Sequence, residues 1–439
     1  MKKKTPAEAL TRLVAHYDTA RKLYWILDRR SDWIEVTESS LRRHLKASGI
    51  SPECPRDRLV SELDETLNNF QLDCAVAYAG PLAGYVKGVR EVCGNRILVT
   101  SSPQLIEPCP GNFPIITVLL RNLFQDDAAD QTPIVLGWLK VAIEALRAGT
   151  IRPGQALAMA GPAQGGKSLF QNLITLLLGG RAAKPYRYMS GATQFNGELF
   201  GAEHLMIEDE CGSTDIRIRR EFGTRIKDVT VNEVQSCHAK NRQALSLRPF
   251  WRLSISLNDE PENLMILPPI DEHLSDKIIL LRTHKHPMPM DTETNEGRAA
   301  FWQALTAELP AFFHHLLQWE IPASMRCPRF GVKTFHHPVL LNAIDALSPE
   351  LRLLSLIDAF LFKDLSPAPG HYEVTAEELE RKLITSDMGY EARRLLSWTN
   401  ACGTYLGRLA AKRPSRVEHA RTGDARNWLI RPPGGNGTA

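Results

Sequence analysis

QALAMAGPAQGGKSLFQNLITLLLGG, residues 155–180, decides how the rest of the chain is read. QALAMA is an apolar run of strand length, GPAQGGKS follows at once, and LFQNLITLLLGG has helical spacing and closes on Gly179 and Gly180. Gly161, Gly166, Lys167 and Ser168 satisfy G-x-x-x-x-G-K-[ST] between that strand and that helix, the opening of an α/β nucleotide-binding domain. In such a loop glycines let backbone N–H groups turn inward around phosphates, the lysine reaches the β- and γ-phosphates, and the hydroxyl joins a Mg²⁺. The expected cofactors are ATP and Mg²⁺, with the nucleotide held by Gly161, Pro162, Ala163, Gln164, Gly165, Gly166, Lys167, Ser168 and Leu169. A glycine-rich turn with a solvated lysine would require neither the strand before it nor the helix after it.

Two later segments supply what a phosphate loop lacks. HLMIEDE, residues 204–210, is an apolar strand ending in three acids. Strand ends converge on the nucleotide in this fold class, so one carboxylate can hold Mg²⁺ while another orients or deprotonates water. Three consecutive acids leave the assignment open. Glu208 and Asp209 are preferred because they directly follow the apolar run, Asp209 joining Ser168 on the metal, with Glu210 as the alternate catalytic carboxylate. FWRLSISLN, residues 250–258, is a second strand, ending in Asn258, whose polar side chain can sense the γ-phosphate between the other two strand ends. Between these segments lies QSCHAKNRQA, residues 235–244, with His238, Lys240 and Arg242. Alone, it reads as a solvated turn.

The chain has 439 residues, 23% of them charged, and a net charge of +3, so composition makes no case for a nucleic-acid partner and any basic surface must be local. Cys54, Cys74, Cys93, Cys109, Cys211, Cys237, Cys327 and Cys402 are scattered without a C-x-x-C pair, which reads as reduced thiols in a cytoplasmic protein. The basic start MKKK has no apolar stretch of signal-peptide length behind it, and no later run reaches the roughly 18 residues of a membrane helix.

The expected organisation is an N-terminal region over 1–113, two packed helices over 114–150, an α/β core over 151–287, a helical region over 288–370, a C-terminal segment over 371–433 and a short tail, 434–439. AEALTRLVAHY, SLRRHLKAS and DRLVSELDETLNNF carry helical patterns in the first region, and RILVT a strand.

Lys167, the acids at 208–210 and Asn258, in that order, resemble the layout of superfamily 3 helicases, a branch of the AAA+ ATPases. The similarity is to the helicase part of phage/plasmid and poxvirus-type primase-helicases, and it covers about residues 114–282, including YMSGATQFNGELFGAEHLMIEDE. The resemblance implies an AAA+ P-loop core, α/β in class, to which the residues themselves add an N-terminal α+β or helical region and a C-terminal helical, winged-helix-like region. It also implies a homo-oligomeric ring, usually a hexamer, that moves on single-stranded or forked DNA with ATP sites shared between neighbours, in replication of a phage, plasmid or satellite. These helicases carry a hairpin between the acidic and the Asn strands that projects into the ring's channel. Here VTVNEVQS and RQALSL form its arms, and His238, Lys240 and Arg242 its DNA contacts. A neighbour-reaching Arg normally follows the Asn strand, and the matching position holds Lys277. Either Lys277 acts or Arg282, Arg217, Arg219, Arg220 or Arg225 replaces it. No paired carboxylates for primer synthesis precede Pro114, so a primase or initiator would be a separate partner. The competing readings are a DNA-binding regulatory or defence-type ATPase without unwinding, and a non-ring ATPase that recruits another protein.

In the tail, TNACGTYLGRLAAKR reads as the second helix of a helix-turn-helix and RVEHARTGDARNWLIR as a wing. Arg408, Lys412, Arg413, Arg416 and Arg421 would then face phosphates, whereas a helix-hairpin packed on a neighbour explains the same pattern. The pairs His314/His315 and His336/His337 lack metal-ligand spacing.

Overall fold

A computed structural model describes residues 13–127, 129–208, 216–362, 370–422 and 425–433. They fall into two units. The first spans Met1–Glu210, Glu221–Asp259 and Glu272–His337, and the second Cys211–Arg220, Glu260–Asp271 and Pro338–Ala439.

The first unit begins with β1 (Ala15–Asp18), β2 (Leu23–Leu27), β3 (Trp33–Val36), α1 (Glu38–Ala47), α2 (Glu62–Asp73) and β4 (Ala75–Val76), the strands ordered β3-β2-β1-β4. Thr37 and Ser61 cap the two helices by accepting from Ser40 N and Asp64 N. Tyr24 and Ile26 alternate inward from β2 against Leu41, Leu45, Leu63 and Leu67. Where a helix is expected over AEALTRLVAHY, residues 15–17 are strand. Pairing of Ala15 with Ile26 and of Tyr17 with Ala75 overrides a helical apolar period. A second small sheet, β5-β7-β6, is built from β5 (Tyr78–Gly80), β6 (Gly88–Val92) and β7 (Asn95–Val99).

Helices α3 (Pro114–Phe124) and α4 (Thr132–Arg147) each carry Pro in the first turn, where its missing N–H costs nothing. They lead into β8 (Ala156–Ala160), α5 (Lys167–Leu177), β9 (Ala182–Ala183), α6 (Tyr186–Met189), β10 (His204–Glu208), α7 (Ile216–Val231), β11 (Gln235–Cys237), β12 (Leu245–Leu247), β13 (Arg252–Leu257), α8 (Pro261–Leu264) and β14 (Ile278–Arg282). A five-stranded sheet, ordered β14-β8-β13-β10-β9, has every neighbouring pair parallel. A parallel sheet covered on both faces demands unbroken apolar strands, and β8 and β13 are buried at every position. One hydrophobic cluster joins Leu119, Leu123, Trp138, Phe170, Ile174, Ile279 and Leu281 to Phe312 and Phe313, on α10 (Leu309–Gln318), which follows α9 (Asn295–Ala307). The short pair β15 (Arg326–Cys327) and β16 (Gly331–Val332) completes the unit, while α8 and the first residues of α7 belong to the second.

A buried ion pair joins the N-terminal part to the sheet. Glu203, fully buried, accepts from Gly84 N at 2.8 Å and from Arg181 Nε at 2.9 Å, while Arg181 also reaches Ser101 O.

In the second unit, α11 (Pro338–Ala346) and α12 (Pro349–Leu361) precede β17 (Tyr372–Thr375), α13 (Ala376–Thr385), α14 (Gly389–Leu395), α15 (Ala401–Lys412), β18 (Val417–Thr422) and β19 (Ala425–Ile430). The three strands form an antiparallel sheet ordered β17-β19-β18. Leu353, Ile357, Leu379, Leu406, Leu409 and Trp428 make its core. The described cysteines are all free, and among the described residues no helix is long and apolar enough to cross a membrane.

Candidate nucleotide site and hairpin

The glycine-rich loop leaves the C-terminal end of β8 and enters α5. At Gly161 a Cβ would lie 2.2 Å from Thr283 O, so the backbone just after β14 permits only glycine there. Gly166, at the N-cap of α5, has φ +96, the left-handed region that glycine adopts without strain. The first N–H groups of α5 have no intrahelical acceptor, and the helix dipole favours an anion at that end.

Lys167 is 6% exposed, and its Nζ donates to Gly161 O and Pro162 O at 2.7 Å and to Asn258 Oδ1 at 3.1 Å. The last contact follows from strand order. β13 lies between β8 and β10, with Leu257 opposite Ala160 and Ser256 opposite Glu208, so Asn258 leaves the sheet between the other two strand ends. Glu208 ends β10, partly exposed, 3.2 Å from Lys184 Nζ. Asp209 and Glu210 lie outside the described residues, as do Cys211 and the Arg217 side chain. Ser168 is the second residue of α5 and is partly exposed.

This donor set suits a polyphosphate. An ammonium, a glycine cradle and a helix N-terminus meet where a Cβ would clash with backbone. No group of three His, Cys, Asp or Glu side chains placed to hold a metal ion exists among the described residues. Mg²⁺ held by one hydroxyl, one or two carboxylates and phosphate oxygens requires none.

Beneath the site runs a polar network that sequence reasoning missed. Gln171, one helical turn after Lys167, donates to Ser254 Oγ at 2.7 Å and to Ile207 O at 3.2 Å. The His204 ring bridges Ser254 Oγ and Thr175 Oγ1, each at 2.7 Å. Complete burial pushes the His204 imidazole down to about 3, so at neutral pH one ring nitrogen donates and the other accepts. The network ties the phosphate-loop helix to the strands that present Glu208 and Asn258. Its signal was Ser254, a hydroxyl in the middle of the buried strand RLSISL.

Asp126, in the α3–α4 connection, has its Oδ2 2.8 Å from His337 Nε2 and 3.2 Å from His284 Nε2. Gln131 adds hydrogen bonds to Phe124 O, Arg282 O and Arg282 N. Both fix the segment that passes over the phosphate loop, where His284 O and Met288 Cε would lie 3.2 and 3.0 Å from Cβ atoms on Gly165 and Gly166.

The hairpin is shorter than expected. VTV belongs to α7, which runs to Val231, and only Gln235–Cys237 and Leu245–Leu247 pair. His238 is partly buried and held at its backbone. Its N–H donates to Asn196 Oδ1 at 2.7 Å, its carbonyl accepts from Asn196 N at 3.0 Å, and its ring meets Phe195 edge-on at 5.2 Å. Lys240 is exposed, and Arg242 is partly exposed.

Lys277 is placed unlike a neighbour-reaching cation. It precedes β14, at the opposite end of that strand from Arg282 and the phosphate loop, is 6% exposed, and pairs with the adjacent Asp276. Of the alternatives, Arg219 is buried against Leu267 O and Arg225 stacks 4.7 Å over Tyr188. Arg220 is exposed, and Arg282 ends β14 opposite Ala160.

The C-terminal cations also depart from expectation. Lys412 lies 2.8 Å and Arg408 3.9 Å from the carboxylate of Glu350, and Arg416 pairs with Asp358, so these three serve the unit's own acids. Arg413 is exposed, and the Arg421 side chain lies outside the described residues.

No family model matches the chain, and no curated protein matches it. Among solved structures, the apo C-terminal region of NrS-1 (305–718) is 16% identical, with a TM-score of 0.56, covering 98% of this chain and 100% of that one. A second apo form of that region gives a TM-score of 0.55 at the same identity and coverage. The SCCmec type IV Cch helicase, 12% identical over 92% of this chain and 74% of that one, gives 0.31, too slight a likeness to carry argument. Across nearly its whole length, the chain shares the fold of the NrS-1 C-terminal region.

Proposed function

We propose that the chain is an ATP-driven DNA helicase or translocase of the superfamily 3 type, working as a homo-oligomeric ring in replication of a mobile element. The observation that carries the reading is the contact of Lys167 with Asn258, made possible by β13 lying between the phosphate-loop strand and the acidic strand. In this reading Lys167 and the N–H groups at the start of α5 hold the phosphates. Asn258, released by Lys167 when a γ-phosphate takes the ammonium, orients water between the strand ends. Glu208, Asp209 and Glu210 supply the base and a metal-holding carboxylate. Mg²⁺, held by Ser168 and Asp209, would neutralise charge on the phosphate oxygens. Exposed Lys240, with His238 and Arg242, contacts the strand, and the ring repeats that single charge around it. The neighbour-reaching cation is assigned to Arg220 or Arg282, because Lys277 is buried and paired. The unit formed by α12, β17, α13, α15 and the β18–β19 hairpin is read as a winged helix.

ATP hydrolysis and strand displacement on forked DNA, measured for the intact protein, Lys167→Ala and the His238→Ala/Lys240→Ala double variant, test this. Lys167→Ala is expected to lose both activities, and the double variant only displacement. An intact protein that hydrolyses ATP but displaces no strand would sink the helicase reading and leave a regulatory ATPase. Normal displacement by the double variant would remove the hairpin from the mechanism.

A further inference from the structure

The C-terminal unit carries five cations, Arg393, Arg394, Arg408, Lys412 and Arg413, against one carboxylate, Glu391, within residues 389–413. Two of the five, Arg408 and Lys412, lie against Glu350, as described. Arg393 and Arg394, both exposed on α14, make no ion pair among the described residues. Two large aromatic side chains within a few residues of them in the chain, Tyr390 and Trp398, are left in water. Tyr390 is 70% exposed with the Arg394 guanidinium 5.8 Å from its ring centre. Trp398, in the turn between α14 and α15, is 42% exposed and packs edge-on against Tyr405 at 6.0 Å, while the Arg408 guanidinium lies 5.7 Å from the centre of the Tyr405 ring.

Exposed aromatic rings cost hydrophobic free energy, and uncompensated arginines beside them attract anions. Together they match the chemistry of a strand whose bases are unpaired, because a base stacks on an aromatic face while its phosphate meets a guanidinium. Duplex reading fits this surface less well. The exposed positions of α15 are Gly407, Ala411 and Lys412, and its two long cations, Arg408 and Lys412, already lie against Glu350, so this helix offers few uncommitted groups to the edges of paired bases. Glu391, also exposed on α14, is the acid that opposes binding.

We infer that Tyr390, Arg393, Arg394 and Trp398 form a stacking platform for single-stranded nucleic acid, separate from the hairpin bearing Lys240. It extends the proposed action on nucleic acid to a second contact and does not depend on ATP hydrolysis.

The test is fluorescence anisotropy of the full chain with a labelled oligothymidylate of about 16 nucleotides, without nucleotide, in the Lys240→Ala background so that the hairpin does not mask the result. Tyr390→Ala is expected to weaken binding about ten-fold. Arg393→Glu with Arg394→Glu is expected to weaken it further and to flatten the salt dependence by about 1.4 in log–log slope, at roughly 0.7 per lost phosphate contact. Trp398→Phe, which keeps a ring, is expected to retain more affinity than Trp398→Ala. Because Trp398 packs on Tyr405, thermal unfolding accompanies that pair, and the more exposed Tyr390→Ala decides the matter if Trp398→Ala is unfolded. Wild-type affinity in both Tyr390→Ala and the double-glutamate variant would overturn the inference. So would equal losses on a duplex of matching length, since a phosphate surface without stacking gives that result. Failure of the ATPase reading shows separately, as hydrolysis retained by Lys167→Ala.

Discussion

The central sheet and the C-terminal unit both gather polar side chains, but by different means. In the sheet, β13 lies between β8 and β10, so strand order brings Asn258 onto Lys167 and leaves Glu208 at the end of the neighbouring strand. In the C-terminal unit, cations are spread over helices whose neighbours carry acids, and Glu350 and Asp358 take up Arg408, Lys412 and Arg416. Motif order therefore locates the first set. Locating the second requires knowing which charges are already opposed.

The largest effect is expected at the convergence itself. Lys167→Ala should abolish ATP hydrolysis, measured as phosphate release, while leaving the fold intact by circular dichroism. Removing support is next. Glu203→Ala leaves Arg181 without its buried partner and should cost about 3 kcal/mol in denaturant unfolding. A loss below about 1 kcal/mol would show that the N-terminal part is not stitched to the sheet by this pair. Asn258→Ala should lower kcat about a hundred-fold, on the order expected for one oriented polar group, with KM for ATP little changed. A change in KM alone would make Asn258 a binding residue.

A pH measurement probes the layer beneath. The His204 value is lowered from 6.5 to about 3, so the folded state resists a proton that the unfolded state accepts. Its contribution is fully present above pH 6.5 and is lost as pH falls towards 3. Between pH 7 and pH 5 this single group should remove about 2 kcal/mol, a slope that His204→Asn should lack. The smallest effect belongs to the other side of the comparison. Lys412→Ala should change oligonucleotide binding less than about two-fold, because that charge already serves Glu350. A ten-fold loss would return α15 to the nucleic-acid surface.

The phosphate loop, its strand and its helix were legible in residues 155–180 because glycine positions and apolar runs are local consequences of that geometry. The placement of Asn258 followed from motif order. Three things were not legible. The helical period of AEALTRLVAHY gave way to strand pairing across the chain, and VTV went to a helix rather than a hairpin arm, since apolar β-branched residues suit either state when buried. The burial of Lys277 depends on Asp276 and on the sheet edge beside it, neither of which a spacing rule contains. The Asp126–His337 contact joins residues more than two hundred positions apart, beyond the reach of any local pattern.

The close approach of Thr283 to Gly161 has a consequence for how the protein is made. The wall of the phosphate site comes from chain that emerges roughly 120 residues after the loop it closes, so the site has a high contact order. GPAQGGKS gains that wall only where β14 takes its place at the sheet edge and Thr283 N donates to Ala160 O. A fragment ending before residue 283 would retain the whole motif in its sequence and still lack one side of the binding site.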